Sequence, residues 1–222
     1  MERIPEPELM DEPEQAHAYA TADFEEPHSA FVAHFAERFP EGFAGTALDL
    51  GCGPADITLR FARAYPRCRI DGVDGARSML RLGEAAVRDR GLADRVRLIH
   101  GRLPDATLPE KRYDAAISNS LLHHLADPLI LWRALGRWLA PGAPVFIMDL
   151  MRPADRARAE ALVQQYSGDE PEVLRRDFFN SLLAAYRVDE VRRQLQETGL
   201  GRLQAEAVSD RHWIVWGRMP GA

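Results

Sequence analysis

A chain of 222 residues, 46% of them hydrophobic and 28% charged, is long enough for one domain with a sizeable core, and it contains no run of about 18 apolar residues such as a membrane span requires. Against 34 Asp and Glu stand 28 Lys and Arg, scattered rather than clustered; the resulting net charge of −6 argues against a nucleic-acid backbone as partner. Cys52 and Cys68 are too few for a disulfide framework or a thiolate metal cluster and read as reduced thiols.

The opening residues, "MERIPEPELMDEPEQ", are acidic and proline-bearing, with no apolar segment of a signal peptide, so a cytoplasmic location is expected and residues 1–13 read as a flexible tail. From Glu14 to about Phe39 the spacing of Phe31, Val32, Phe35 and Phe39 fits one helical face, which predicts a helical cap over 14–44. Strand candidates follow at 46–50, 68–74, 96–100, 114–119 and 144–150. Amphipathic segments lie between them: "ADITLRFARAYP", "ARSMLRLGEAAVRDRGL" stopped by Gly91, and a helix containing "PLILWRALGRWLA". The basic residues Arg102, Lys111 and Arg112 read as a solvated face.

Strands alternating with helices of this size indicate an α/β, doubly wound parallel sheet, because parallel neighbours need helical crossovers. The core is placed at 45–150. After Leu150 the rhythm changes to a helical insertion over 151–187, with helices near 153–167 and 171–184. The helix "VDEVRRQLQETGL" and the runs "RLQAEAV" and "RHWIVWGR" then close the chain over 188–217 as a final helix and an antiparallel edge hairpin. Residues 14–222 are expected to form one domain.

The stretch "ALDLGCGPAD" falls on the first strand-to-helix turn, where open α/β sheets bind ligands. Gly51 and Gly53 let the backbone approach a ligand closely, and Pro54 suits the start of a helix. Asp56 stands where a dinucleotide fingerprint has its third glycine, which disfavours NAD or FAD. Asp49 would repel a diphosphate but suits a cofactor carrying an amino group beside a sulfonium. Asp74, at the end of the second strand, is placed to accept hydrogen bonds from both hydroxyls of a ribose.

In order along the chain, "ALDLGCGPADITL", "IDGVDGARSML", "HGRLPD", "YDAAISNSLLHHLADP" and "LAPGAPVFIMDLMRP" resemble the successive motifs of the class I S-adenosylmethionine-dependent methyltransferases of small molecules. The resemblance covers about residues 45–152 and more loosely the closing strands. It implies a mostly parallel, seven-stranded, Rossmann-like sheet with an antiparallel last strand. It also implies S-adenosylmethionine as cofactor and a small-molecule methyl acceptor as partner, the enzyme being a monomer or homodimer. By the resemblance, Gly51, Cys52 and Gly53 hold the methionine part with Asp49 in support, Asp74 holds the ribose, and Gly75 and Met79 flank the adenine. Where relatives carry an acid after the third strand this chain has Arg102, so either the Arg102 and Leu103 backbone contacts the adenine or the Arg102 side chain stacks or faces the substrate. Ser118 and Asn119 fall near the methionine amino group.

Because the leaving group of a sulfonium is already activated, positioning of the acceptor and exclusion of water can supply much of the catalysis. An acceptor bearing a proton is helped by a base, and His123, ahead of His124 in "LLHHL", is the candidate; on a helix only one of the two would face the site. Tyr19 resembles the aromatic residue that closes over the methyl donor in relatives. Arg152, Arg175, Arg176, Phe178, Phe179 and Asn180 are candidates for the acceptor side. His28, His34, His100 and His212 show no ligand-like spacing, so no metal site is expected. Two other functions fit less well: a non-catalytic subunit that keeps the cofactor pocket, and a nucleic-acid methyltransferase, which would need a basic face.

Overall fold

A computed structural model describes residues 1–6, 9, 11–110 and 112–221, so that Lys111 of the basic run and three residues of the opening segment lie outside it. The apolar runs become a seven-stranded sheet. Its strands are β1 (Gly45–Leu50), β2 (Cys68–Asp74), β3 (Val96–His100), β4 (Ala115–Asn119), β5 (Pro144–Leu150), β6 (Gln204–Ala207) and β7 (His212–Arg218). They are ordered β3-β2-β1-β4-β5-β7-β6. The first five are mutually parallel; β7 runs antiparallel to both β5 and β6. Every residue of β5 is buried, as expected for a strand with neighbours on both edges and helices on both faces.

Side-chain alternation divides the core into two layers. Leu48, Leu50, Val145 and Ile147 face one layer, with Trp132 and Leu135 of helix α5 (Leu129–Trp138) and Trp213. Their neighbours Ala47, Phe146 and Met148 face the other layer, with Phe31, Phe35 and Phe61. The second layer is held by edge-to-face rings: Phe31 meets Phe146 with centroids 4.9 Å apart and 89° between planes, and Phe35 meets Phe61 at 4.8 Å and 87°. Phe146→Ala is expected to cost about 3–5 kcal/mol by opening a cavity between these rings, read as a lower denaturant midpoint at unchanged slope.

The N-terminal helical region differs from expectation. It is two helices, α1 (Pro13–Thr21) and α2 (Glu25–Arg38), and the second packs on the sheet as part of the core. The break has a local cause: the Asp23 carboxylate accepts the Glu25 backbone N–H at 2.9 Å and starts α2 afresh.

The segment expected to be a flexible tail is a correction as well. The Met1 ammonium donates to the Ala154 carbonyl at 2.8 Å, and the Ile4 N–H donates to the Leu183 carbonyl at 3.0 Å. The Arg3 guanidinium donates to the Ala184 carbonyl at 2.6 Å and the His123 carbonyl at 2.9 Å, lying 4.3 Å over the Tyr186 ring. Asp11 accepts the Ser78 N–H at 2.8 Å, at the start of α4 (Arg77–Asp89). These residues form a strap, because its polar groups meet backbone partners contributed from far along the chain.

The insertion folds as α6 (Arg156–Ser167) packed on α7 (Glu172–Ala184), followed by α8 (Val188–Glu197) and the edge hairpin. Among the described residues no helix is long and apolar enough to cross a membrane. Cys52 and Cys68 are buried free thiols.

Candidate active site

The sheet order reverses direction between β1 and β4, and the turn that leaves β1 lies beside that reversal, where a crevice opens beyond the strand ends. Between Gly51 and Ala55 the backbone enters the left-handed region three times, at Gly51 (φ 72°), Gly53 (φ 51°) and Ala55 (φ 68°), and this turns the chain sharply into α3 (Asp56–Ala64). At Gly51 space matters as well as φ, since a Cβ there would lie 2.8 Å from Leu121.

The turn is tied to β2. Gly51 and Cys52 N–H donate to the Val73 carbonyl at 2.8 and 3.2 Å. The Asp74 carboxylate accepts Gly53 N–H on one oxygen at 2.8 Å and Ala76 N–H on the other at 2.7 Å. Its orientation is therefore set by backbone on both sides before any ligand arrives. Burial raises its pKa above the usual carboxylate range despite those bonds. Asp49, 1% exposed, accepts the Thr58 hydroxyl at 2.5 Å. Burial pushes Asp49 up to about 7, and the Asp74 charge adds to the rise while the Thr58 bond opposes it.

Both carboxylates line a single cavity of about 610 Å³. Gly51, Cys52 and Gly53 form one wall of it, and Gly75, Met79, Arg102 and Leu103 form another. Burial drives the Cys52 thiol well above its ordinary pKa, so it serves there as a small apolar group. Gly75 is a cradle residue, because a Cβ would fall 2.7 Å from Leu9 and 3.0 Å from the stem of Arg102. Asn119 also lines the cavity. Ser118 does not: its hydroxyl is buried and donates to the Leu50 carbonyl at 2.6 Å, fastening the ends of β4 and β1. Tyr19 lies over the cavity with its ring 4.8 Å from Phe24, and burial pushes its phenol up to about 12.

Asp56, in place of a third glycine, has a structural partner in the first turn of α3. It pairs with His28 Nδ1 at 2.7 Å and with Arg60 Nε at 2.7 Å. Although burial acts to raise its pKa, these two partners outweigh it and hold the carboxyl down at about 2. The acid thus joins α2 to α3 at the edge of the cavity.

Both His123 and His124 line the cavity, contrary to the expectation that one would turn away. The segment Leu122–His124 is a 3-10 turn, not an α-helix, and the two rings lie tilted at 36° with centroids 4.2 Å apart. His123 Nδ1 makes a short contact with the Asp149 carboxylate from β5, which also accepts Leu122 N–H at 2.6 Å. His123 Nε2 and His124 Nδ1 each lie 3.4 Å from Glu6 Oε1, brought in by the strap. The imidazole proposed as a base thus has Asp149 on one ring nitrogen and a carboxylate beside the other.

Of the six acceptor-side candidates only Phe178 reaches the cavity. Arg152 is buried, donating to the Ala185 carbonyl at 2.8 Å and to Glu190 at 2.6 Å. Phe179 packs in the α6–α7 cluster under the Arg156 guanidinium, 5.2 Å from its centroid. Arg175 and Arg176 line a separate shallow hollow with Phe179, and Asn180 is exposed. Helix rotation explains the outcome: α7 turns only one face towards the strand ends, and Leu174, Phe178 and Ser181 occupy it at helical spacing. Asp149 and Glu6 escaped the sequence reading. Asp149 had a signal, an acid inside the fully buried run "PVFIMDL"; Glu6 had none, being 117 residues from His123 in the chain.

The seven-stranded fold is similar to that of solved S-adenosylmethionine-dependent methyltransferases, and in this chain a glycine turn follows β1 and an acid ends β2. A family model described as a methyltransferase domain matches residues 47–142. The chain is 32% identical over 108 residues to a demethylmenaquinone methyltransferase of Geobacillus sp. (strain WCH70), a match covering 48% of this chain and 46% of that protein. It therefore spans less than half the length of that curated relative. In fold it resembles a SAM-dependent methyltransferase from Aquifex aeolicus, with a TM-score of 0.69 at 18% identity over 94% of this chain and 98% of the other. It also resembles the plantazolicin methyltransferase BpumL, determined with a desmethylPZN analogue and SAH, with a TM-score of 0.71 at 13% identity over 94% and 92% of the two chains.

Proposed function

We propose that this protein transfers the methyl group of S-adenosylmethionine to a small-molecule acceptor. The observation that carries the reading is the convergence of Asp49 and Asp74, from adjacent strand ends, on one cavity walled by the glycine turn. The donor set fits the cofactor. Asp74, with each oxygen already holding one backbone N–H, has lone pairs left for the two ribose hydroxyls. Asp49 is a buried carboxylate without a cationic partner among the described residues, suited to the ammonium and sulfonium charges. Met79 and Leu103 supply apolar contact for the adenine, and Asn119 an amide for the methionine end.

When bound, the cofactor supplies a methyl carbon already activated by the positive sulfur. The remaining work falls to the residues of this chain: to orient the acceptor in line and to exclude water. Phe24, Leu121, Leu125, Leu174 and Phe178 give the acceptor side an apolar wall, which favours a compact acceptor with an apolar or aromatic body. With a net charge of −6, the reading is of a cytoplasmic enzyme acting on a metabolite rather than on nucleic acid.

Calorimetric titration with S-adenosylmethionine and S-adenosylhomocysteine tests the proposal, and absence of binding by both in the micromolar range ends it. A labelled methyl donor offered with metabolite extracts and read by mass spectrometry identifies the acceptor. His123→Ala is expected to lower turnover and leave S-adenosylhomocysteine affinity near wild type; a wild-type rate removes His123 from the chemistry.

A further inference from the structure

We propose that Glu6, His123 and His124 hold a divalent first-row metal ion at the acceptor end of the cavity. Their candidate ligand atoms, Glu6 Oε1, His123 Nε2 and His124 Nδ1, lie within 4.8 Å of one another. The two oxygen-to-nitrogen separations are 3.4 Å each. That is longer than a charge-assisted N–H···O bond, which closes to about 2.7–2.9 Å. It matches the separation of two ligands around a tetrahedral ion bound at about 2.0–2.2 Å, whose edge is about 3.4 Å.

Two further observations point to a ligand. Glu6 Oε1 is buried and accepts no hydrogen bond among the described residues, while its other oxygen, Oε2, takes the Ser181 hydroxyl at 3.3 Å. An acceptor left bare in this way is unusual in a folded protein, and a cation between it and the two imidazoles would satisfy it. His123 also has the support that metal-bound histidines have. Its Nδ1 is occupied by the buried Asp149 carboxylate, and Nε2 faces Glu6, where a metal ion would take the place of a proton.

Two imidazoles and one carboxylate suit zinc, iron or cobalt better than magnesium or calcium, which prefer all-oxygen sets. The local charge also allows a dication, since Glu6, Asp149 and Asp177 outnumber the Arg3 guanidinium beside them. Both histidines line the cavity, so the remaining coordination positions would open towards the space where an acceptor would lie. The strap would then deliver a ligand as well as a cover. This inference stands on the three side chains and does not rest on the methyl-transfer reading; in it a metal-bound His123 would act on the acceptor through the ion and not as a free base.

The test uses the full chain stripped with a chelator. Titration with Co²⁺ should give saturable visible d–d bands at one ion per chain, and Zn²⁺ should displace it. Glu6→Gln and His124→Ala should each weaken Co²⁺ binding by at least about 100-fold, since loss of a ligand exceeds the 10–100-fold cost of losing an outer partner. Thermal unfolding, measured in parallel with S-adenosylhomocysteine affinity, reports whether each variant is folded. The proposal is overturned if the wild type takes up no metal while it binds S-adenosylhomocysteine, or if Glu6→Gln binds Co²⁺ as tightly as the wild type. Metal uptake lost in Glu6→Gln, in a protein that binds no S-adenosylhomocysteine, would uphold the metal site and end the methyl-transfer reading alone.

Discussion

Asp74→Ala should weaken S-adenosylhomocysteine binding by about 1.5–3 kcal/mol, roughly 10- to 150-fold, the usual worth of hydrogen bonds to a charged group. The effect has two sources. One is the direct loss of an acceptor for the ribose hydroxyls. The other is the release of Gly53 and Ala76 N–H, which the same carboxylate holds at 2.8 and 2.7 Å, so that the glycine turn loses its tie to the start of α4. Asp74→Asn separates them, because its one carbonyl oxygen can keep a backbone bond but cannot serve two hydroxyls as a carboxylate does. Calorimetry on both variants, with thermal unfolding as the fold control, measures the split. Wild-type affinity in Asp74→Ala would dismiss the ribose assignment.

The second large effect is on pH dependence. With the pKa of Asp49 pushed up to about 7 by burial, the cofactor-free site holds a proton at mildly acidic pH. A cation bound beside Asp49 favours the charged form, so the proton must leave on binding. Affinity for S-adenosylmethionine is therefore expected to be level just above pH 7 and to fall about tenfold per unit below it. The stability of the unliganded protein moves the other way. The folded-state pKa of Asp49 lies above the ordinary Asp value of 3.8, so between about 3.8 and 7 the native state retains a proton that the unfolded chain has released. Stability from this group thus falls as pH rises through that window, by an amount on the order of 4 kcal/mol at most. Asp49→Asn should raise the melting temperature of the unliganded protein at pH 8 and flatten the pH dependence of binding while weakening it. A wild-type affinity constant across about pH 5.5–7.5 would contradict the role given to Asp49.

Both results depend on how the folded chain treats two acids already prominent in the sequence. The glycine turn, the acid before it and the acid ending the second strand lie within 26 residues, and local rules are enough to place them at strand tips. Cys52, Gly75, Met79, Arg102, Leu103 and Asn119 reach the same cavity because each sits at a strand end or within five residues beyond it, a position set by the strand itself. Ser118 lies one residue short of that wall. As the penultimate residue of β4, it directs its hydroxyl to the Leu50 carbonyl while its neighbour lines the cavity.

Periodicity and turn chemistry in the amino-acid sequence determined the alternation of strands and helices, the parallel core and its antiparallel edge, and the strand end where a cofactor would lie. These are nearest-neighbour properties, carried by residues close together in the chain. Only the tertiary structure decided that Asp149 supports His123, that two adjacent histidines share one wall, that α7 offers Phe178 and not its arginines, and that an acidic N-terminal segment brings Glu6 to both imidazoles. Asp149 lies 26 positions from His123 and Glu6 lies 117, and the geometry of these contacts follows from packing of the whole chain, which no local pattern encodes.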